Sequence, residues 1–116
     1  MSNLHDICAL DDIPDQKAKG FNTELDGEKI SFFIVRKENQ VYGYINRCPH
    51  TGVNLDWQPN QFLDLTGHQI QCSTHGAIFR IRDGYCVYGP CAGRSLTPIE
   101  LVLEDGRLKF LKLKKE

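Results

Sequence analysis

Two short segments of the chain each place a cysteine beside a histidine. One residue separates Cys48 from His50. Two residues separate Cys72 from His75. Two thiolates and two imidazoles together make a four-ligand metal site. A structural zinc site more often takes both cysteines from one knuckle and both histidines from a helix. The mixed pairs therefore favour two unlike irons, with two cysteines on one and two histidines on the other.

The residues around the four candidate ligands strengthen this interpretation. Pro49 and the Thr51–Gly52 pair flank the first two ligands, and the run Gly76–Phe79 follows the second two. With these flanks, the chain resembles the Rieske iron–sulfur family from about its first hairpin to its end. By this resemblance, Gly89 and Pro90 belong to a proline-containing loop over the cluster. The resemblance implies one [2Fe–2S] cluster with four ligands, Cys48, His50, Cys72 and His75.

The elements that must position these residues are predicted to be β-strands. Turn residues such as Asp26–Gly27, Asp83–Gly84 and Asp105–Gly106 separate runs rich in β-branched and aromatic residues, and no amphipathic helix is indicated. The predicted strands cover residues 21–25, 29–36, 41–45, 69–71, 77–81, 85–87, 96–103 and 108–113. Both ligand pairs fall on loops between strands, so two neighbouring hairpins can close on one cluster.

The fold class is therefore predicted to be all-β, with short antiparallel strands in one domain of residues 1–116. The resemblance implies a Rieske-like fold, in which an antiparallel β base carries a small cluster-binding β subdomain. We expect that subdomain at about residues 46–93. Ligands on loops that rigid strands hold in place suit an electron-transfer site.

Composition limits the classes of partner. The chain has 14 basic and 15 acidic residues, and its net charge of −1 gives no global field for nucleic acid or an anionic membrane. No apolar run approaches the length of a membrane span, and the first residues show no secretory signal. We therefore expect a cytoplasmic protein that binds neither nucleic acid nor membrane.

Two positions beside the second ligand pair predict a low reduction potential. High-potential members of the family carry a serine and a tyrosine as hydrogen-bond donors where this chain has Ala77 and Phe79. They also carry a disulfide where this chain has Val53 and Thr74. Fewer donors leave the reduced cluster less stabilised, so we expect the low end of the roughly −150 to +300 mV range. Imidazole ligands predict that the potential falls as pH rises.

The resemblance implies an electron-transfer protein and not an enzyme. We expect a one-electron carrier, a monomer that takes electrons from a flavin-dependent reductase and passes them to a terminal oxygenase or reductase through transient contacts. The alternative is a non-catalytic small subunit of a larger reductase complex, similar to the small subunit of nitrite reductases. By the same resemblance, we do not expect a catalytic oxygenase, because those members carry their mononuclear iron in a long additional domain.

Other interpretations of the same residues stay open. Zinc accepts the same ligand types, and a cysteine beside a histidine can form a nucleophilic enzyme pair. Cys8, Cys86 and Cys91 are expected to be small buried apolar residues, with a Cys86–Cys91 disulfide as the alternative. His5 and His68 are expected at the surface or in loops and not as ligands.

Overall fold

Antiparallel strands dominate the computed structural model, which describes residues 5–25, 27–38, 40–47, 62–63, 67–72, 76–89 and 93–113. The strands are β1 (His5–Ala9), β2 (Lys17–Leu25), β3 (Glu28–Lys37), β4 (Gln40–Ile45), β5 (Gln69–Gln71), β6 (Ile78–Arg80), β7 (Cys86–Tyr88), β8 (Pro98–Glu104) and β9 (Arg107–Leu113). They form a larger sheet in the order β1-β9-β8-β4-β3-β2 and a small sheet in the order β5-β6-β7. The prediction of an all-β fold is confirmed.

Strand β3 is buried on both faces and contributes side chains to both hydrophobic cores. Phe32, Phe33, Ile34 and Val35 are each at most 1% exposed, although alternate residues of a strand point to opposite faces. Phe33 and Val35 belong to a core shared with the small sheet. Phe32 and Ile34 belong to a second core, shared with β1, β8 and β9. A continuous apolar run is what burial on both faces requires.

The β8–β9 hairpin shows how turn chemistry sets the register. Glu104 pairs with Arg107, so two residues, Asp105 and Gly106, make the turn. Both have positive φ, +53° and +76°. That backbone matches the right-handed twist of the strands, and Asp–Gly is among its preferred sequences. The hairpin predicted at this turn is confirmed.

Two aromatic side chains join the larger sheet to the small one. The ring of Phe33 stacks on Phe62, with centroids 4.3 Å apart and planes 8° apart. Tyr44 of β4 donates its hydroxyl to the carbonyl oxygen of Ile81 at 2.6 Å. A Cβ at Gly84 would lie 2.8 Å from the Tyr44 ring, so only glycine fits against it here. The two sheets therefore pack around one shared core.

The sequence did not reveal every element. β1 and a 3₁₀ turn at Leu10–Asp12 were not predicted, and β2 begins at Lys17, earlier than the predicted start at residue 21. β1 and the first residues of β2 become strands through pairing with β9 and β3, respectively, and not through their own apolar pattern. Among the described residues, no helix combines the length and apolar character needed to cross a bilayer. The small sheet falls inside residues 46–93, but the limits of the predicted subdomain stay a prediction.

Candidate metal centre

One of the four predicted ligands, Cys72, lies within the described residues. Cys48, His50 and His75 lie outside them. Among the described residues alone, no group of three or more histidine, cysteine, aspartate or glutamate side chains is placed to hold a metal ion. What the structure does define is Cys72, the backbone that leads into position 48 and the backbone that follows position 75.

The segment from Cys72 to Ala77 is closed at its base by two backbone hydrogen bonds. The Cys72 N–H donates to the Ala77 carbonyl at 2.9 Å, and the Gly76 N–H donates to the Cys72 carbonyl at 2.9 Å. Gly76 has φ +70°, a conformation that glycine adopts without steric cost. We call residues 72–77 the ligand turn. Because Cys72 and Ala77 are both 0% exposed, this turn is anchored in the core at both ends.

The chain that leads into Cys48 is fixed by the larger sheet. The Ile45 N–H donates to the Thr97 carbonyl, and the Asn46 N–H donates to the Ser31 carbonyl, both at 2.9 Å. Asn46 is 6% exposed, and its side-chain Nδ2 lies 3.4 Å from the Ser31 hydroxyl. The backbone therefore leaves β4 in a defined direction immediately before the first predicted ligand pair.

A third segment, which ends at Gly89, lies against the ligand turn. A Cβ at Gly89 would come within 2.8 Å of the Ala77 Cα, so the two backbones are in direct contact. The buried Cys86 thiol donates to the Tyr88 carbonyl oxygen, with Sγ 3.2 Å from the oxygen. The Gly89–Pro90 pair marked this loop in the sequence, but nothing there indicated either contact. Pro90 and Cys91 lie outside the described residues.

The described cysteines form no disulfide bonds. Cys8, Cys72 and Cys86 are all buried and unbridged. The expectation of small buried residues is thus confirmed for Cys8 and Cys86, and the alternative Cys86–Cys91 disulfide finds no support. Burial raises the pKa of the Cys8 thiol, and the Asp12 carboxylate adds to that rise. Cys8 therefore stays protonated in a core distant in sequence from both ligand pairs.

An ion pair stabilises the β6–β7 turn, at the end of the small sheet away from the ligand turn. Arg80 makes two hydrogen bonds to the Asp83 carboxylate, at 3.0 and 2.6 Å, and its guanidinium lies 4.9 Å from the Tyr85 ring centroid. The Arg80 hydrogen bond lowers the pKa of Asp83. Because Asp83 also accepts the Tyr85 N–H at 3.0 Å, the β6–β7 turn is rigid. His68 is exposed beside this end, in a cleft of about 360 Å³, in agreement with its predicted surface position.

The residues present fit a metal group at the ligand turn. A thiolate that is fully buried without a compensating charge is costly, so the position of Cys72 suits an inert thiol or a metal ligand. Ala77 and Phe79 are both 0% exposed and carry no hydrogen-bond donor in their side chains. The described side chains on this side of the ligand turn are therefore apolar. Val53 and Thr74, which bear on the predicted absence of a disulfide, lie outside the described residues.

Comparison with known proteins gives one family and a consistent set of folds. The family model of the Rieske [2Fe-2S] domain matches residues 3–109. Oxidoreductase NdmD of Pseudomonas putida is 31% identical over 85 residues, which are 72% of this chain and 13% of that protein. The chain thus spans a small part of the length of that curated relative.

Solved structures agree with the fold over nearly the whole chain. One chain from a complex of reduced oxygenase and oxidized ferredoxin in carbazole 1,9a-dioxygenase is 22% identical, with a TM-score of 0.77 and 100% coverage of both chains. The carbazole 1,9a-dioxygenase ferredoxin of Nocardioides aromaticivorans IC177 is 21% identical, with a TM-score of 0.73 and coverage of 96% and 99%. A 2-oxoquinoline 8-monooxygenase component gives 0.75 at 17% identity, over 27% of its length. These similarities confirm the predicted fold.

Proposed function

The chain belongs to the Rieske [2Fe-2S] domain family, and on that premise we propose that it is a one-electron carrier and not an enzyme. Its cofactor is one [2Fe–2S] cluster. Two thiolates bind one iron and two imidazoles bind the other. The proposed ligands are Cys48, His50, Cys72 and His75.

The ligand turn is the observation that carries this proposal. Cys72 is fully buried where β5 ends, its N–H donates to the Ala77 carbonyl, and its own carbonyl accepts the Gly76 N–H. When bound, the cluster gains and loses a single electron. The chain's part is to fix its ligands on short turns of a rigid sheet, so that little reorganisation accompanies the change of charge.

The apolar environment supports a potential at the low end of the family range. Hydrogen bonds to cluster or ligand sulfur stabilise the reduced state and raise the potential. Neither Ala77 nor Phe79 has a side chain that can donate one. We therefore propose a midpoint nearer the lower limit of roughly −150 mV than the upper limit of roughly +300 mV.

A short run of exposed apolar side chains supports transient docking to protein partners. Of the large hydrophobic side chains exposed in the described residues, three of four lie in residues 85–88, namely Tyr85 at 38%, Val87 at 44% and Tyr88 at 69%. This segment leads directly into Gly89 beside the ligand turn. Exposed apolar patches often mark protein contacts, and weak redox encounters use small ones. We assign the partners to two classes, a flavin-dependent reductase and a terminal oxygenase or reductase.

A fixed subunit of a larger reductase is the second candidate. The oxidoreductase NdmD relative favours it, because the matching segment is only 13% of that protein. In both cases the chain transfers electrons and performs no catalysis of its own. We propose a cytoplasmic location for either, since the described cysteines form no disulfide, which is usual for proteins of a reducing compartment.

Metal content and spectra test the cofactor. Purified protein should be red-brown, should contain about two irons and two acid-labile sulfides per chain, and should give the electron paramagnetic resonance of a mixed Cys/His cluster when reduced. Cys72→Ser should abolish the signal. Cys8→Ser, a matched change of a buried cysteine in the other core, should keep it. Colourless protein that holds zinc, or full sulfide in Cys72→Ser, would refute the assignment.

Association separates the carrier from the subunit. The carrier should elute as a monomer in gel filtration and should be reduced by a flavin-dependent reductase at a rate that depends on the concentrations of both proteins. A stable complex with a large enzyme through gel filtration would favour the subunit instead.

A further inference from the structure

The contact between Gly89 and Ala77 leaves no room for a side chain. A Cβ at Gly89 would lie 2.8 Å from the Ala77 Cα, 3.2 Å from its Cβ and 3.3 Å from its backbone nitrogen. Gly89 also has φ +102°, which other residues rarely adopt. Because two of these three neighbours are backbone atoms, no rotamer change of Ala77 could relieve the collision.

Ala77 transmits this contact to the ligand turn. Its carbonyl accepts the Cys72 N–H, so Ala77 and Cys72 together close the turn. Ala77 is 0% exposed, and its position therefore cannot change without moving the core around it. A displacement at Ala77 would shift the backbone that carries Cys72 and the segment that contains His75.

The Cys86 thiol fixes the other side of the contact. Its Sγ donates to the Tyr88 carbonyl at 3.2 Å, one residue before Gly89. Cys86 is 1% exposed and pairs with Phe79 of β6, while Tyr88 pairs with Ile78. The thiol thus holds the end of β7 in the position from which Gly89 meets Ala77.

We propose that Cys86 and Gly89 are positioning residues for the cluster, which hold the ligand turn in place through Ala77. The inference rests on the proposed function only in requiring that a cluster binds at this turn. Neither residue is a proposed ligand of the cluster. Their effect is on the ligand geometry, and so on the electronic structure of the bound group and its rate of loss.

Two pairs of variants test the proposal. Gly89→Ala introduces the collision, and Gly93→Ala is its matched control. Gly93 has φ +91°, but a Cβ there would meet no described atom within 4 Å. The control therefore carries the backbone strain without the collision. Cys86→Ala removes the thiol donor without adding bulk. Cys86→Ser restores a donor at the same position.

The readouts are the g-values of the reduced protein, the midpoint potential and the rate at which visible absorbance is lost with a chelator. Gly89→Ala should lose its cluster about tenfold faster than Gly93→Ala, as expected for overpacking against a rigid backbone. Its g-values and potential should also shift from those of the control. Cys86→Ala should change in the same sense, and Cys86→Ser should return toward the wild type.

The outcomes separate this inference from the proposed function. Wild-type protein without iron and sulfide would refute the function itself. Loaded wild type together with identical spectra, potentials and loss rates for Gly89→Ala and Gly93→Ala would refute the positioning role. Should Gly89→Ala fail to fold, the cysteine pair decides. Equal behaviour of Cys86→Ala and Cys86→Ser would then overturn the proposal.

Discussion

Replacing Tyr44 by phenylalanine should weaken the contact between the two sheets and lower the stability of the fold. Tyr44 is 3% exposed, and its hydroxyl donates to the Ile81 carbonyl at 2.6 Å, across the boundary between β4 and the turn after β6. The substitution removes the hydroxyl and keeps the ring, including its contact with Gly84. The ring packing is thus preserved, and the lost hydrogen bond is the quantity measured.

The expected cost follows from the burial of the acceptor. Leaving a buried polar group without its partner costs about 1–3 kcal/mol, so we take about 2 kcal/mol for Tyr44→Phe. In a domain of this size, about 1 kcal/mol corresponds to a fall in Tm of about 4 °C. The variant should therefore unfold about 8 °C below the wild type at neutral pH.

The same residue predicts a pH dependence. Burial raises the pKa of the Tyr44 hydroxyl above its ordinary value. Because the folded-state pKa is the higher one, the stabilisation is fully present below the unfolded pKa of about 10 and is lost as the pH rises above it. The difference in stability between wild type and Tyr44→Phe should therefore shrink above about pH 10.

Thermal unfolding followed by far-ultraviolet circular dichroism, at equal cofactor loading, measures both effects. Tyr42→Phe is the matched control, because the Tyr42 hydroxyl makes an exposed hydrogen bond to Gln40 at 2.6 Å. An exposed bond contributes little, so this control should stay within about 0.5 kcal/mol of the wild type. A Tyr44→Phe variant as stable as Tyr42→Phe would refute the role of the Tyr44 bond.

Three further changes test the site and the larger sheet. Ala77→Ser adds a donor beside the proposed cluster and should raise the midpoint potential in a redox titration. Gly43→Ala places a Cβ 2.5 Å from Ile99 Cγ1 and should cost about 1–3 kcal/mol in thermal unfolding. With Ile99→Ala added, the total cost should be less than the sum of the two single changes. An Arg107 hydrogen bond lowers the pKa of Asp6. The stability difference between wild type and Asp6→Asn should therefore be present at neutral pH, begin to shrink as the pH falls below the unfolded pKa of about 4, and vanish only below the lowered folded-state pKa.

Local pattern was sufficient to predict most strands. The apolar run from Phe32 to Val35 predicted a buried strand, and Asp105–Gly106 predicted the two-residue turn between β8 and β9. β1 could not be found in this way, because what makes it a strand is its pairing with β9. Such a pairing joins residues nearly a full chain length apart, and no local signal records it.

The candidate site was likewise only partly predictable from the sequence. Ligand types and spacing were visible in the sequence, and they predicted the cluster from Cys48, His50, Cys72 and His75. The contacts around the ligand turn were not visible. That Gly89 meets Ala77 depends on how β6 and β7 pair, and the bond from the Cys86 thiol to the Tyr88 carbonyl lies within β7 itself. Glycine and cysteine have many roles, so their presence alone does not reveal such contacts.

The small sheet depends on the larger one for its stability. Its three strands have three residues each, which is too little for an independent sheet. Its core is completed by Phe33 and Val35 of β3 and by Tyr44 of β4. A change in the larger sheet should therefore reach the ligand turn through packing, without any contact with the cluster. Conversely, Phe32 and Ile34 belong to the second core, on the other face of β3, so a side-chain change there should affect the ligand turn less.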